Sequence, residues 1–188
     1  MRGFYIFHMR VPVLKGKQVL LRPLRISDAP AFCAWFKNSE VTRFLLRHEN
    51  PPPLREEREY LRNQQRRADH AQWGIVVDDV LIGTVGLDRI DSEHRRAVYG
   101  IFIGNPRYWG QGLGTEAGRL AVGWAFRKLR LHRIELRVFA YNIRGIKSYQ
   151  KIGFHPEGRL RDYIYRDGVY HDEIMMGILR KEFLVKRS

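Results

Sequence analysis

The sequence has a single cysteine, no long apolar run and no excess of acidic residues. With one cysteine in 188 residues, the chain can form no internal disulfide. Cys33 lies in the apolar segment 31–36, which favours a buried structural thiol over a nucleophile. No apolar run approaches the length of about 20 residues that crosses a bilayer, and residues 1–9 are too short for a secretory signal with a cleavage site. We therefore expect a cytoplasmic protein with no membrane partner.

Acidic residues are outnumbered by basic ones. Asp and Glu total 20 against 34 Lys and Arg, so the net charge is +14 at pH 7 and the isoelectric point is near 10.3. Such a charge attracts nucleic acid, anionic membrane surfaces and acidic substrates. The basic residues are scattered from Arg2 to Arg187, with higher density at 62–67 and 127–133, and no nucleic-acid-binding signature is present. Nucleic acid is therefore disfavoured as the main partner.

The apolar content of the chain suits one domain. Hydrophobic residues make up 44% of the 188, enough for a single compact unit with a sizeable core. Residues 1–16 show no periodicity and are interpreted as an N-terminal extension, and residues 17–188 are interpreted as one domain. No internal repeat is present.

One stretch organises the rest of the chain. An apolar run at 99–103 predicts a strand, and apolar residues at helical spacing from Leu113 to Ala125 predict a helix that continues to Leu129. Between them lie glycines 110, 112 and 114, which allow positive φ and the close approach of a ligand. The first amides of the helix lack internal partners and carry the positive end of its dipole. This arrangement predicts an anion site, most naturally for a pyrophosphate.

The alternative is that the glycines serve only a tight turn, which needs one glycine rather than three. No Lys-Ser/Thr pair follows them and their spacing is not G-x-G-x-x-G, so neither a nucleoside triphosphate nor a dinucleotide is favoured. Residues 109–117 (WGQGLGTEA) instead resemble the acetyl-CoA-binding motif of the GNAT superfamily of N-acetyltransferases, R/Q-x-x-G-x-G/A. Gly112 and Gly114 match, and Trp109 takes the first position, as is typical of the RimJ/RimL-like and spermidine-acetyltransferase-like branches.

A second segment resembles the same family. Residues 142–154 look like N-x-R-x-I-x-x-Y-x-K-x-G-F, the GNAT signature after the fifth strand, and predict a short helix closed by a glycine C-cap. The resemblance runs from about Val19 to Phe183 and implies an α/β (α+β) fold. Its central mixed sheet has about seven strands, is splayed between two of them and is flanked by about four helices. Acetyl-CoA is expected in the V-shaped gap.

The remaining elements follow from turn and cap residues. Ser27 or Asp28 caps a helix that buries Phe32, Trp35 and Phe36. Further predictions are a strand at 19–24, a charged helix at 54–68, a hairpin at 72–87 with the turn Asp78-Asp79, a polar loop at 88–96, a strand at 132–140, and a terminal hairpin at 163–179 with its turn at 166–168.

The resemblance implies roles for individual residues. Backbone groups of Phe102, Ile103 and Gly104 would hold the pantetheine arm and the thioester carbonyl, and the Asn142 side chain would hold the arm beyond. Tyr149 would protonate the departing thiolate as the general acid. Its alternative is an aromatic that packs on the core. The remaining cofactor-binding candidates are Trp109, the pyrophosphate-binding amides of Gly110, Gln111, Gly112, Leu113, Gly114 and Thr115, and Lys151.

The general base stays open, since the strand before the glycines carries no Glu at residues 98–100. For each candidate alone a structural or surface role is favoured, and Asp172 is a brace of the last hairpin as readily as a substrate contact. The candidates are Asp88, His94, His171, Asp172 and Glu173.

We thus expect an N-acetyltransferase that moves acetyl from acetyl-CoA to a primary amine by direct attack in a ternary complex, without a metal. A charge of +14 ranks a protein N-terminus first among acceptors, a small amine (amino sugar or antibiotic) second and a polyamine last. The order reverses if several of Glu56, Glu57, Glu59, Asp88 and Asp91 line one pocket. A non-catalytic acyl-CoA-binding or sensing domain is the alternative of another class, and a homodimer is compatible with all of these.

Overall fold

The computed structural model describes residues 11–45 and 51–185, and its centre is one eight-stranded sheet in the order β1-β2-β3-β4-β5-β6-β8-β7. The strands are β1 (Leu14–Lys15), β2 (Leu20–Pro23), β3 (Ala71–Val77), β4 (Val80–Asp91), β5 (Arg96–Ile103), β6 (Arg133–Phe139), β7 (His155–Arg166) and β8 (Val169–Leu179). The helices are α1 (Ala29–Trp35), α2 (Ser39–Thr42), α3 (Leu54–Arg66), α4 (Leu113–Trp124), α5 (Ile143–Ile152) and α6 (Arg180–Val185). The mixed α/β fold expected from the sequence is confirmed.

The described residues contain more elements than the expected seven strands and four helices. β1 has two residues and is formed only by pairing with β2, and it lies inside the segment 1–16 interpreted as an extension; residues 1–10 fall outside the described part. The four-residue α2 and the six-residue α6 at the C-terminus are also short. Elements of this length carry too little periodicity to be recognised without their tertiary contacts.

Two-residue turns close both predicted hairpins. Asp78 and Asp79 have φ of 47° and 63° between β3 and β4, and Asp167 and Gly168 have φ of 52° and 79° between β7 and β8. Positive φ at both central positions matches the twist of the flanking strands. Two boundaries differ from the prediction. β4 extends through Asp91 into the expected loop, and β7 begins at His155, with register shifts between residues 156 and 158 and between 160 and 164 that interrupt the strand pattern.

The sheet splays between β5 and β6. All other neighbouring strands are antiparallel, whereas β5 and β6 are parallel and pair only at 96–98 with 133–135. Beyond that point the two strands separate. Each is followed by one of the helices α4 and α5, which lie side by side, with Thr115 Oγ1 and Ser148 Oγ 2.9 Å apart. The predicted gap is therefore present.

Two apolar clusters cover the two faces of the sheet at the gap. Ile101 and Ile103 pack on the larger cluster, under α4 and α5, and Phe102 packs on the smaller one, beside α1 and α3. Because successive side chains of a strand point to opposite faces, the face of the sheet under α4 and α5 and the face beside α1 and α3, called the α1 side, are separate environments. No helix in the described part of the chain is both long and apolar enough to cross a membrane.

Candidate functional site

A cleft of about 530 Å³ occupies the gap between β5 and β6. It is lined by eleven of the thirteen predicted site residues, namely Phe102, Ile103, Trp109, Gly110, Gly112, Leu113, Gly114, Thr115, Asn142, Tyr149 and Lys151. Gly104 and Gln111 do not line it. Gly104 is buried against the Trp35 ring, and the Gln111 side chain donates to the Arg107 carbonyl at 2.7 Å.

Residues 110–115, the phosphate cradle, comprise the end of the loop between β5 and α4 and the first residues of α4. The first α4 bond runs from the Glu116 N–H to the Gly112 carbonyl, 3.0 Å, and none of the six preceding N–H groups has a backbone partner among the described residues. Gly110 and Gly112 have φ of 78° and 80°, and a Cβ at either would meet no atom within 4 Å. Gly114 does not have the positive φ that was predicted; it lies in the first turn of α4 and faces Ile101 and Ile103.

The charges around the phosphate cradle favour an anion. Glu116 is the acidic residue in the first turn of α4, but its carboxylate accepts hydrogen bonds from the backbone N–H groups of Lys17 and Gln18 in the β1–β2 turn. Lys147 and Lys151 of α5 line the cleft. Unpartnered amides, a helix N-terminus and two ammonium groups together suit a pyrophosphate.

The open edge of β5 presents alternate residues to the gap. The Gly104 N–H bonds to the Ile82 carbonyl, 2.8 Å, so the antiparallel alternation turns the backbone of Phe102 and Gly104 toward β4. The backbone groups of Ile101 and Ile103 point the other way, into the gap. Of the three residues expected to supply main-chain contacts, only Ile103 is so placed, and Ile101 takes the second position.

Trp109 lies at the mouth of the cleft, on the α1 side. Its indole N–H donates to the Ile103 carbonyl at 2.9 Å, which leaves the Ile103 N–H as the free backbone group of that residue. Arg144 stacks on the indole ring, with its Cζ 3.7 Å from the ring centroid. Trp109 follows β5 and Arg144 opens α5 after β6, so this contact joins the two arms of the splay.

Asn142 caps α5. Its Oδ1 accepts the Gly145 N–H at 2.9 Å, which satisfies one of the free amides at the helix start. No other described residue bonds its Nδ2, so this amide nitrogen is the atom left for a ligand in the cleft. The side chain both orients α5 and lines the gap.

Tyr149 lies two turns further along α5, at the wall of the cleft. Its ring packs edge-on against Tyr99, with centroids 6.0 Å apart, and against Phe154 at 6.3 Å. Burial raises the pKa of Tyr149 to about 12, so the phenol stays protonated at neutral pH. Both interpretations of this residue are thus partly met: it packs on the core, and it presents a proton donor to the cleft.

Three of the five base candidates are held away from the cleft. Asp88 pairs with Arg67 at 2.5 Å and lies five residues from Gly83 on β4, about 17 Å along the strand. His94 is in the β4–β5 loop, where its N–H donates to Asp91. Asp172 accepts the Asp162 N–H at 2.8 Å and pairs with Arg159, so it braces the β7–β8 hairpin.

The other two candidates lie on the face of β8 turned to the α1 side. The His171 ring packs against Tyr141, with centroids 4.9 Å apart. Glu173 is buried, burial raises its pKa, and its Oε2 is 3.8 Å from Arg137. Neither lines the cleft. Among the described residues no group of three or more His, Cys, Asp or Glu side chains could hold a metal ion.

The described lining of the cleft contains no carboxylate. Its charged members are Arg144, Lys147 and Lys151. The acidic residues that would have reversed the acceptor ranking lie elsewhere: three are on α3 and two on β4, namely Glu56, Glu57, Glu59, Asp88 and Asp91. Cys33 is also absent from the lining, and burial is the main cause of its raised pKa, which argues against a nucleophile.

One wall of the cleft has no counterpart in either sequence motif. Residues 41–45, the α2 wall, contribute Val41, Phe44 and Leu45 to the lining. Arg166, buried on β7, donates to the carbonyls of Arg43 (2.6 Å) and Leu45. Tyr141 donates to the same Arg43 carbonyl at 2.7 Å. No sequence signal marked Arg166, because its partners lie more than 120 residues away.

Comparison with known proteins identifies relatives of this architecture. Residues 18–155 match the acetyltransferase (GNAT) domain family. The chain is 33% identical to the "Uncharacterized N-acetyltransferase YoaA" of Bacillus subtilis over 176 residues, covering 90% of this chain and 97% of YoaA. It is 33% identical over 172 residues to the spermidine N(1)-acetyltransferase of Escherichia coli, covering 90% of each. It is 29% identical over 174 residues to the "Putative ribosomal N-acetyltransferase YdaF" of B. subtilis, covering 89% and 94%.

One solved structure that shares the fold contains bound ligands. It is that of spermidine N-acetyltransferase from Vibrio cholerae in complex with CoA and spermine. It superposes with a TM-score of 0.79 at 28% identity, covering 90% of this chain and 99% of that one.

Proposed function

Since the chain belongs to the GNAT acetyltransferase family, we propose that this acetyl-CoA-dependent N-acetyltransferase acts on the N-terminal amine of an acidic protein. The observation that carries the choice of acceptor is the charge of the cleft: its described lining has three cationic side chains and no carboxylate. A polycation gains nothing from such a surface, whereas an acidic chain is attracted to it.

The residues of the cleft fit acetyl-CoA. The free amides of residues 110–115 would bind its pyrophosphate, with Lys151 and Lys147 adding charge. Backbone groups of Ile101 and Ile103 would pair with the pantetheine arm along the open edge of β5, and Asn142 Nδ2 would bond the arm from the α5 side. Bound there, acetyl-CoA supplies an acetyl group on an activated thioester.

Two protons have to move during the transfer. Tyr149 would donate its phenolic proton to the departing sulfur, a role for which its raised pKa keeps it protonated. The incoming amine has to be neutral when it attacks. Because none of the five acidic or histidine candidates lines the cleft, we propose that the ammonium loses one proton to water before direct attack in the ternary complex. The second proton leaves the nitrogen after attack and replaces the one that Tyr149 gives to the sulfur.

A polyamine acceptor is the second candidate. It is favoured by the 33% identity to the spermidine N(1)-acetyltransferase of E. coli. It is opposed by the lack of described carboxylates at the cleft, because a polyamine with several positive charges needs anionic partners once it leaves water. With a protein N-terminus ranked first, we propose that the chain is RimJ/RimL-like. We expect it to act in the cytoplasm.

Turnover assays decide between these acceptors. Thiol release from acetyl-CoA is measured with spermidine and with an acidic peptide that begins with Ser, each at low and at physiological salt. We expect faster turnover with the peptide and a stronger decrease with salt, since screening weakens attraction between exposed charges. Faster acetylation of spermidine would overturn the proposed acceptor. Binding of acetyl-CoA without turnover of any amine would favour the sensing domain.

A further inference from the structure

Two arginines stack on Phe44, an aromatic ring that lines the cleft. Arg43, in the α2 wall, has its Cζ 4.9 Å from the centroid of the Phe44 ring, and Arg144, in the first turn of α5, has its Cζ 5.5 Å from the same ring. Arg144 also stacks on Trp109 at 3.7 Å. The four side chains form one cation–aromatic stack, the arginine mouth, and both of its guanidinium groups stay exposed to solvent.

The position of these charges is unfavourable for the protein by itself. A cation at the N-terminus of a helix opposes the helix dipole, and the first turn of α5 contains no acidic residue. Partial burial and, as the smaller cause, the positive charge of Arg43 lower the pKa of Arg144, so the two guanidinium groups repel each other. In residues 11–45 and 51–185, no carboxylate lies within ion-pairing distance of either.

The repulsion is not relieved by movement of the backbone, because the α2 wall is anchored. The buried Arg166 holds the Arg43 and Leu45 carbonyls, and the Tyr141 hydroxyl holds the Arg43 carbonyl as well. On the other side, α5 is capped by Asn142. The α2 wall and α5 therefore hold two like charges against the same aromatic ring of the cleft lining, an arrangement that an anion would stabilise.

The arginine mouth lies on the other side of the sheet from the phosphate cradle. Trp109 packs on the cluster of α1 and α3, whereas Leu113 of the cradle packs on the cluster under α4 and α5. Lys147 and Lys151, one and two turns beyond Arg144, lie nearer the level at which Thr115 meets Ser148. Lys147 and Lys151 are thus placed to contact the pyrophosphate, and Arg43 and Arg144 are left to bind a different anion.

We propose that Arg43 and Arg144 bind a carboxylate carried by the acceptor polypeptide within a few residues of its N-terminal amine. This inference rests on the proposed function and deepens it: the site would select N-termini with Asp or Glu at the second and third positions. The planar guanidinium groups suit bidentate contact with a carboxylate. A neutral peptide of equal size would bind more weakly, and a basic one more weakly still.

Two amidated peptides test the proposal, one beginning Ser-Glu-Glu and one beginning Ser-Gln-Gln, otherwise identical. We expect wild-type kcat/KM to favour the acidic peptide by about tenfold or more, and the single substitution Arg144→Gln or Arg43→Gln to reduce that ratio to about threefold or less. Calorimetric titration of the same peptides into protein saturated with CoA should show the same ratios in Kd. The KM for acetyl-CoA should not change.

The matched control is Arg161→Gln, which removes the same charge from an exposed position on β7. It should keep the wild-type ratio, since only general attraction is reduced. Equal turnover of both peptides by the wild type would overturn the inference and leave the proposed function standing. An unchanged ratio with a raised KM for acetyl-CoA in Arg144→Gln would assign that arginine to the cosubstrate. No turnover of either peptide, while spermidine is acetylated, would overturn both.

Discussion

The phosphate cradle and the α2 wall line the same cleft but are built in opposite ways. The cradle is formed by a short continuous segment, and its defining contacts lie within residues 103–116. The α2 wall is held by Arg166 and Tyr141, over separations of 98 to 124 residues. The first region presents amides whose positions depend on local φ values; the second presents side chains whose positions depend on the whole fold.

We expect this difference to separate cosubstrate binding from acceptor choice. A local loop changes little when distant residues are substituted, so it can keep one ligand while the rest of the molecule diverges. A wall assembled from remote elements moves whenever one of its anchors changes. Substitutions in one region should therefore affect acetyl-CoA and leave the acceptor, and substitutions in the other should do the reverse.

The largest expected effect is the loss of acetyl-CoA binding in Gly112→Asp. The new carboxylate would stand among the free amides of residues 110–115 and repel a pyrophosphate there, weakening binding by about 100-fold or more. Calorimetric titration with acetyl-CoA measures it. The control is Gly112→Asn, which has the same shape without the charge and tolerates the φ of 80°. If folded Gly112→Asp binds acetyl-CoA with the wild-type affinity, the pyrophosphate does not bind at the phosphate cradle.

The next effect is on turnover at the Tyr149 side of the cleft. Tyr149→Phe keeps the edge-on packing against Tyr99 and loses only the proton donor, so we expect kcat to fall about 100-fold with little change in the Kd of acetyl-CoA. The matched control is Tyr99→Phe, whose buried hydroxyl has no partner in the described structure and which should keep wild-type turnover. If both variants are equally active, the thiolate leaves unaided or takes its proton from another group.

A smaller effect is expected for the anchor of the α2 wall. Arg166→Met leaves the carbonyls of Arg43 and Leu45 without their buried donor, so we expect a loss of about 2 kcal/mol in unfolding free energy and about a tenfold higher KM for the acceptor. The KM for acetyl-CoA should stay the same. Arg161→Met, on the same strand and exposed, is the control. A rise in both KM values would show that the two regions are coupled.

The smallest effect concerns alkaline pH. The pKa of Tyr149 is about 12 in the folded protein against 10.0 for a free phenol, so above pH 10 the unfolded chain loses this proton first. Stability from this raised pKa is present below pH 10 and is lost as pH rises toward 12. Urea titrations between pH 10 and 12 measure the unfolding free energy, and we expect it to decrease more in the wild type than in Tyr149→Phe. If it decreases equally in both proteins, the pKa of Tyr149 is not raised and its hydroxyl is in contact with water.

Sequence patterns predicted the features that depend on neighbouring residues. Gly110 and Gly112 have the positive φ that the glycine spacing indicates, and Asn142 caps the helix that it begins. The same patterns were wrong about Gly114, which has ordinary helical φ, because spacing alone does not separate a turn glycine from a packing glycine. The choice between Phe102 and Ile101 at the gap depends on strand register, which is set by the pairing of β4 with β5.

By itself, the sequence determined the family, the splayed sheet, the glycine-rich loop before α4 and the phenol on α5, since each rests on residue types at fixed short spacings. Only the tertiary structure decided that five candidate acids and bases lie outside the cleft and that Arg43 and Arg144 stack on the same Phe44 ring. Those facts depend on contacts between segments about a hundred residues apart. No local periodicity encodes them, because chain folding rather than spacing brings such residues together.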